Sequence, residues 1–216
     1  MESAECSLDE LLCQSLSLFR QYRFYDVPDC GAKASRLLEE AYSLVTDAQS
    51  SVDMAKWGCV MECLAQKFYI DSDTDTVLGD VDTVLIARWK KIEKSPLEAF
   101  SVYLWFGYYF LLRFRNRESR FHSRSKQAMS GILSFLTEVF RKVARGGAPM
   151  EVLSHFSADA WGETVCWMEQ VCDIRLCEKQ SAVLLEQLYN LKNAELEKKN
   201  GRQDILLQHI LEFYCF

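Results

Sequence analysis

The stretch Ser95-Pro96-Leu97-Glu98-Ala99-Phe100-Ser101-Val102-Tyr103-Leu104-Trp105-Phe106-Gly107-Tyr108-Tyr109-Phe110-Leu111-Leu112 decides the fold class. Ser95 suits a helix N-cap, Glu98 closes a capping box, and Pro96 fills the first helical position, where a missing N–H costs nothing. The helix that follows holds Tyr103, Trp105, Phe106, Tyr108, Tyr109 and Phe110 and is apolar nearly all round. Such a helix is central, covered by others on most sides. Its apolar run, Ala99 to Leu112, is 14 residues long. A bilayer needs roughly 20, so the run is a core helix and no membrane insertion is expected.

Further helix signals flank it on both sides. Ser7 and Glu10 form a capping box ahead of Leu8 to about Arg23, with Leu8, Leu11, Leu12, Leu16 and Phe19 on one face. Phe24 to Cys30, holding Pro28, is a break. A second helix is expected from about Ala32 to Asp47, with Leu37, Leu38, Tyr42 and Val45 inward. Ser50 and Asp53 open a third, to about Phe68, carrying Trp57, Val60, Met61 and Leu64. A fourth is expected over about 82–93, and the helix at Ser95 is the fifth. A sixth spans about 125–144 and stops at Gly146-Gly147, where glycine suits a left-handed C′ residue. Pro149 starts a short seventh, and three more follow over about 158–176, 181–199 and 203–215.

The chain therefore reads as all-α, nine or ten helices in antiparallel hairpins, forming an irregular α-solenoid or a helical bundle. With only 3 Pro and 9 Gly in 216 residues, there is little room for the tight turns of a β-sandwich. No repeat of 33 to 47 residues keeps its key positions, so no motif-bearing repeat array is expected. Residues 1–216 are expected to form a single helical domain. The apolar ending Leu211 to Phe216 suits either a docked terminus or the N-terminal part of a longer protein, and the second is favoured.

The acidic, polar start lacks the features of a secretory signal, which points to the cytoplasm or nucleus. The nine cysteines, none in a C-x-x-C pair, then read as reduced thiols acting as small hydrophobes. The five tryptophans, Trp57, Trp89, Trp105, Trp161 and Trp167, are expected mostly in the core.

Two segments carry candidate binding chemistry. Asp71, Asp73, Asp75 and Asp82 fall at positions 1, 3, 5 and 12 of a calcium-loop register. Position 6 is Thr76 where the sharp turn wants glycine, and the final aspartate is short for bidentate reach. The competing reading is an acidic loop whose aspartates cap the next helix, and it is preferred. No metal or other cofactor is expected.

The second segment is basic. Residues 95–145 hold 9 Lys and Arg against 3 Asp and Glu, a net of +6, between flanks of −7 (1–94) and −5 (146–216). Arg113, Arg115, Arg117, Arg120, Arg124 and Lys126 fall within 14 positions, with Arg141, Lys142 and Arg145 further on. Arginine forks suit phosphates and carboxylates, and Phe114 and Phe121 stand among them as aromatics able to stack on bases. The bland alternative pairs these cations with the acidic flanks.

Nothing favours an enzyme: His122, His155 and His209 fall in no metal or triad spacing, and no phosphate-cradling glycine loop is present. Leu184, Leu188 and Leu191 repeat at heptad-like spacing, but two heptads fit an ordinary packed helix better than a coiled coil. The preferred function is a non-enzymatic helical scaffold or adaptor, a subunit of a larger intracellular complex, whose protein partner presents an acidic surface. The alternative is a nucleic-acid-associated protein using residues 113–126.

Overall fold

The computed structural model describes residues 6–48, 50–92, 100–144, 158–176, 178–179, 181–186 and 206–210. Among these residues there are helices and turns and no strand, so the fold is all-α. The helices are α1 (Leu8–Tyr25), α2 (Pro28–Ala48), α3 (Ser51–Gln66), α4 (Thr74–Val77), α5 (Gly79–Ile92), α6 (Phe100–Arg115), α7 (His122–Ala144) and α8 (Ala158–Asp173). Residues 178–179, 181–186 and 206–210 are also helical. The signals at Ser95-Pro96, Gly146-Gly147 and Pro149, together with Leu188, Leu191 and Leu211 to Phe216, lie outside the described residues.

The chain divides into two compact units, residues 1–85 with 204–216, and residues 86–203. In the first unit, α1 opens as its sequence specifies. The Ser7 hydroxyl accepts from the Glu10 N–H at 3.3 Å, and the Glu10 carboxylate accepts from the Ser7 N–H at 2.8 Å. The Ser7 N–H, then the Ser7 hydroxyl and the Cys6 thiol, hold the Glu10 carboxyl below the usual carboxylate range.

The break after α1 is shorter than expected. α1 runs on to Tyr25, Asp26 turns the chain at φ 50°, and Pro28 begins α2 instead of blocking it. A proline at the first helical position surrenders only an N–H that has no helical acceptor, so Pro28 initiates as readily as it interrupts. A link of two residues makes α2 fold back along α1, and these two helices share the most extensive contact in the unit.

The buried face of α2 is Ala34, Leu38, Ala41 and Val45. Leu37 is only half-buried and Tyr42 is exposed, against expectation. The alanines let the α1 backbone come close, and the Ser15 hydroxyl donates to the Ala34 carbonyl at 3.0 Å across the contact. That bond is worth about 1 kcal/mol. Each of the buried Leu11, Leu12 and Leu16 contributes about 1.5–3 kcal/mol, so apolar burial dominates the pairing.

α3 is capped by Ser50, whose hydroxyl accepts from the Asp53 N–H, and buries Trp57, Val60, Met61 and Leu64 as expected. Cys59 and Cys63 are buried on it as reduced thiols. Burial pushes the Cys59 thiol well up, and a thiol kept protonated is a poor nucleophile.

The end of α3 is a Schellman motif. Tyr69 N–H donates to the Leu64 carbonyl at 2.8 Å and Phe68 N–H to the Ala65 carbonyl at 2.9 Å. The left-handed C′ residue, usually glycine, is here Phe68 at φ 58°. Its side chain is 88% exposed. A Cβ in this conformation costs about 1–2 kcal/mol. We expect Phe68→Gly to raise stability by about 1 kcal/mol, read from the urea unfolding midpoint of a dilute sample.

In the second unit α6 is the apolar centre, with every residue from Val102 to Leu112 other than Gly107 buried as a hydrophobe. It packs on α7 and α8. α7 presents Ala128, Met129, Ile132, Leu133 and Leu136 inward. Tyr103 stacks on Phe135 with centroids 4.5 Å apart and meets Trp89 edge-on at 6.2 Å. Trp57, Trp89, Trp105 and Trp167 are buried, while the Trp161 side chain lies outside the described residues.

α8 ends at Asp173, earlier than the expected 176, because a second Schellman motif turns the chain there. Leu176 N–H donates to the Val171 carbonyl at 3.3 Å, with Arg175 left-handed at φ 54°. No helix among the described residues is long and apolar enough to cross a membrane.

Candidate anion-binding corner

The basic segment folds into the corner between α6 and α7. α6 closes with Arg113 and Arg115 in its last turn, where cations complement the negative end of the helix dipole. The chain turns over 116–121. There the Ser119 N–H donates to the Asn116 carbonyl at 3.2 Å and the His122 N–H to the Ser119 carbonyl at 3.1 Å. The Ser119 hydroxyl, itself buried, accepts from the Phe121 N–H at 3.1 Å. Phe114 stacks on His122 with centroids 4.3 Å apart and planes at 24°, tying the end of α6 to the start of α7. The turn is thus held by backbone, hydroxyl and ring contacts, and side chains mounted on it have a fixed base.

The structure separates the arginines that the sequence groups together. Arg113 is 0% exposed, its guanidinium carbon 5.5 Å from the Phe121 ring centroid. It belongs to the core of the unit and is removed from any contact surface. Arg115 is half-buried. Arg117, Arg120, Arg124 and Lys126 are exposed, with Glu118 the one carboxylate between 113 and 126. Arg124 also lies 5.6 Å from the Phe121 centroid. Arg141 and Lys142 fall in the last turns of α7 and Arg145 lies outside the described residues.

Two features give this corner its electrostatic character. Four exposed cations share one turn and the helical turn after it. The first turn of α7 carries no acidic residue, although a carboxylate there would stabilise the helix by about 0.3–1 kcal/mol. Arg124 and Lys126 stand near that positive end instead. The start of α7 therefore carries positive charge at a small cost to the helix itself. Phe114 and Phe121 are half-buried and engaged, the one by His122 and the other by two guanidinium groups.

The acidic segment has a different architecture from a calcium loop. Asp73 caps α4, accepting from the Asp75 N–H at 3.0 Å and from the Thr76 hydroxyl at 2.7 Å. The Thr76 hydroxyl foremost, then the Asp75 N–H, hold the Asp73 carboxyl below its usual range. α4 occupies the middle of the would-be loop, and Asp82 lies buried within α5. Among the described residues no three His, Cys, Asp or Glu side chains converge on a point able to hold a metal ion.

A second surface feature was not anticipated from the sequence. Phe24, Tyr25 and Phe68 are 69%, 75% and 88% exposed at helix ends of the first unit. The signal for it is the placing of aromatics at helix stops, Phe24-Tyr25 before Asp26 and Phe68 just past α3, where no helical face turns them inward. No protein-family model, curated protein or solved structure matches the chain.

Proposed function

We propose that the chain is a non-enzymatic helical scaffold, a subunit of a larger complex in the cytoplasm or nucleus, that receives an acidic segment of a protein partner at the α6–α7 corner. The observation that carries this reading is the exposure of Arg117 and Arg120 on the turn between α6 and α7 and of Arg124 and Lys126 at the start of α7. Guanidinium forks there match carboxylates in bidentate geometry, and the uncompensated start of α7 adds attraction for negative charge. A nucleic-acid partner would draw on the same charges but also on stacking platforms. Phe114 and Phe121 are occupied within the chain, which favours the protein partner.

The test is capture of partners from cell lysate by the tagged chain, with and without nuclease, in the native form and as Arg117→Glu/Arg120→Glu/Arg124→Glu. Exposed charge pairs contribute about 0.2–1 kcal/mol each, so reversing three should lower capture by about tenfold or more. We expect a stoichiometric protein partner that survives nuclease and is lost from the triple variant. Loss of capture on nuclease treatment, with affinity falling steeply as salt rises, would establish the nucleic-acid reading instead.

A further inference from the structure

Phe121 links the buried and the exposed arginines of the basic segment. It stands immediately before α7, its N–H donating to the buried Ser119 hydroxyl at 3.1 Å and its carbonyl accepting from the Ser125 N–H at 2.8 Å. The backbone that carries the ring is therefore held on both sides. The guanidinium carbon of Arg113, in the core, lies 5.5 Å from the ring centroid. That of Arg124, exposed on the first turn of α7, lies 5.6 Å from it. One half-buried ring thus meets a guanidinium of the interior and a guanidinium of the surface.

Arg124 is three residues beyond Phe121, a spacing at which side chains on a helix meet. Its guanidinium rests on the ring, and among the described residues it meets no carboxylate. An arginine side chain has many rotamers, and a partner that binds it must order it. Contact with the ring removes part of that freedom before the partner arrives. Because Arg124 stays exposed, the ring covers only part of the guanidinium and leaves N–H groups facing solvent. Two N–H groups on one edge of the fork match the two oxygens of a carboxylate.

We propose that Phe121 is a positioning residue, holding the Arg124 guanidinium so that two of its N–H groups take one carboxylate of the partner's acidic segment. The inference rests on the acidic-partner reading and goes beyond it by making Arg124 a contact that lysine does not replace. A lysine carries the same charge but neither the fork nor the flat face that packs on an aromatic. Attraction by charge alone would leave Arg124 interchangeable with lysine and indifferent to residue 121.

The test is fluorescence anisotropy of a labelled glutamate-rich peptide titrated with the full chain at low ionic strength, where exposed charges are least screened. We expect binding that a glutamine-rich peptide does not show. Arg124→Lys and Phe121→Leu should each weaken it about two- to fivefold, the range of one exposed cation–π contact. Phe121→Tyr keeps the ring face and should bind as the native chain does. In Phe121→Leu/Arg124→Lys the two losses should not add, because each removes the same contact. Circular dichroism checks that each variant retains its helices, and Arg124→Lys, at an exposed position, reports on binding even where Phe121→Leu loosens the turn.

The inference is overturned, with the acidic-partner reading intact, if Phe121→Leu and Arg124→Lys bind the peptide like the native chain while Arg117→Glu/Arg120→Glu/Arg124→Glu does not. Additive losses in the double variant overturn it in the same way. If the native chain ignores the glutamate-rich peptide, or the triple variant binds it unchanged, the acidic-partner reading falls and this inference falls with it.

Discussion

Gly107→Ala is expected to destabilise the second unit by about 2–3 kcal/mol, a large effect for one methyl group. Gly107 lies in the middle of α6, where alanine ordinarily gains about 1 kcal/mol over glycine. Propensity therefore predicts the opposite sign. What decides is the space outside the helix. A Cβ built on Gly107 would stand 2.9 Å from Trp167 Cε2, 3.0 Å from Cζ2 and 3.1 Å from Nε1. These atoms belong to a rigid ring on α8 that is 1% exposed, so the ring has no free volume to move into. Either α6 and α8 separate or the indole leaves its rotamer, and both lose packing along the contact. The measurement is a thermal melt of the native chain and the variant, with a fall of about 5–10 °C expected. Trp167→Leu removes the obstructing atoms. It is costly alone, but adding Gly107→Ala to it should cost less than 1 kcal/mol. That coupling in a double-mutant cycle assigns the effect to this one contact. An unchanged melting temperature in Gly107→Ala would show that α6 and α8 do not approach as closely as 107 and 167 require.

The contrast between Gly107 and the helices around it shows what was legible. The all-α class follows from local signals that the structure reproduces atom by atom: the Ser7–Glu10 box, the Ser50 cap, and the apolar α6. Each depends on neighbours within a few residues, and such interactions are written in sequence order. The misread positions depend on context. Pro28 reads as a break or a start according to which helix it is assigned to, and only the course of α1 decides. Tyr42 looked inward because its period matches, yet the close α1–α2 contact selects the alanine face and leaves the larger ring outside, against Trp57 at 4.9 Å. Gly107 has no sequence signal at all, since its role is set by a tryptophan 60 positions away.

The candidate site was legible to the same degree. The density of arginine after Leu112 marked the segment, because charge spacing is local. Which of those arginines reach solvent depends on where α6 ends and how the turn at 116–121 rotates the next helix, and spacing does not report that. The exposed aromatics of the first unit were missed for a related reason. An aromatic residue is assigned to the core by composition, and only the helix stops at Tyr25 and Gln66 expel Phe24, Tyr25 and Phe68.

Arg113 offers the sharpest separation between the two roles an arginine can take in this segment. Arg113→Met keeps the stem and deletes the guanidinium from a site that is 0% exposed. A buried guanidinium persists only when its N–H groups and its charge are answered by the fold, and deleting it leaves those answering groups desolvated without a partner. Breaking a buried charged interaction costs about 3–5 kcal/mol, and loss of neutral hydrogen bonds about 1–3. We therefore expect about 3 kcal/mol of destabilisation, read from the urea midpoint, with partner capture per folded molecule unchanged. Arg124→Met, at an exposed position 11 residues further along, should do the reverse. Its stability should stay within about 0.5 kcal/mol of the native chain, while capture of the proposed acidic partner falls. The two variants delete the same group from the same charge run, so sequence pattern alone predicts equal effects. A crossed result, stability lost in one and binding lost in the other, assigns Arg113 to the core and Arg124 to the contact surface. If Arg113→Met is harmless and abolishes capture, the guanidinium works at the surface and the α6–α7 corner must be rebuilt around it.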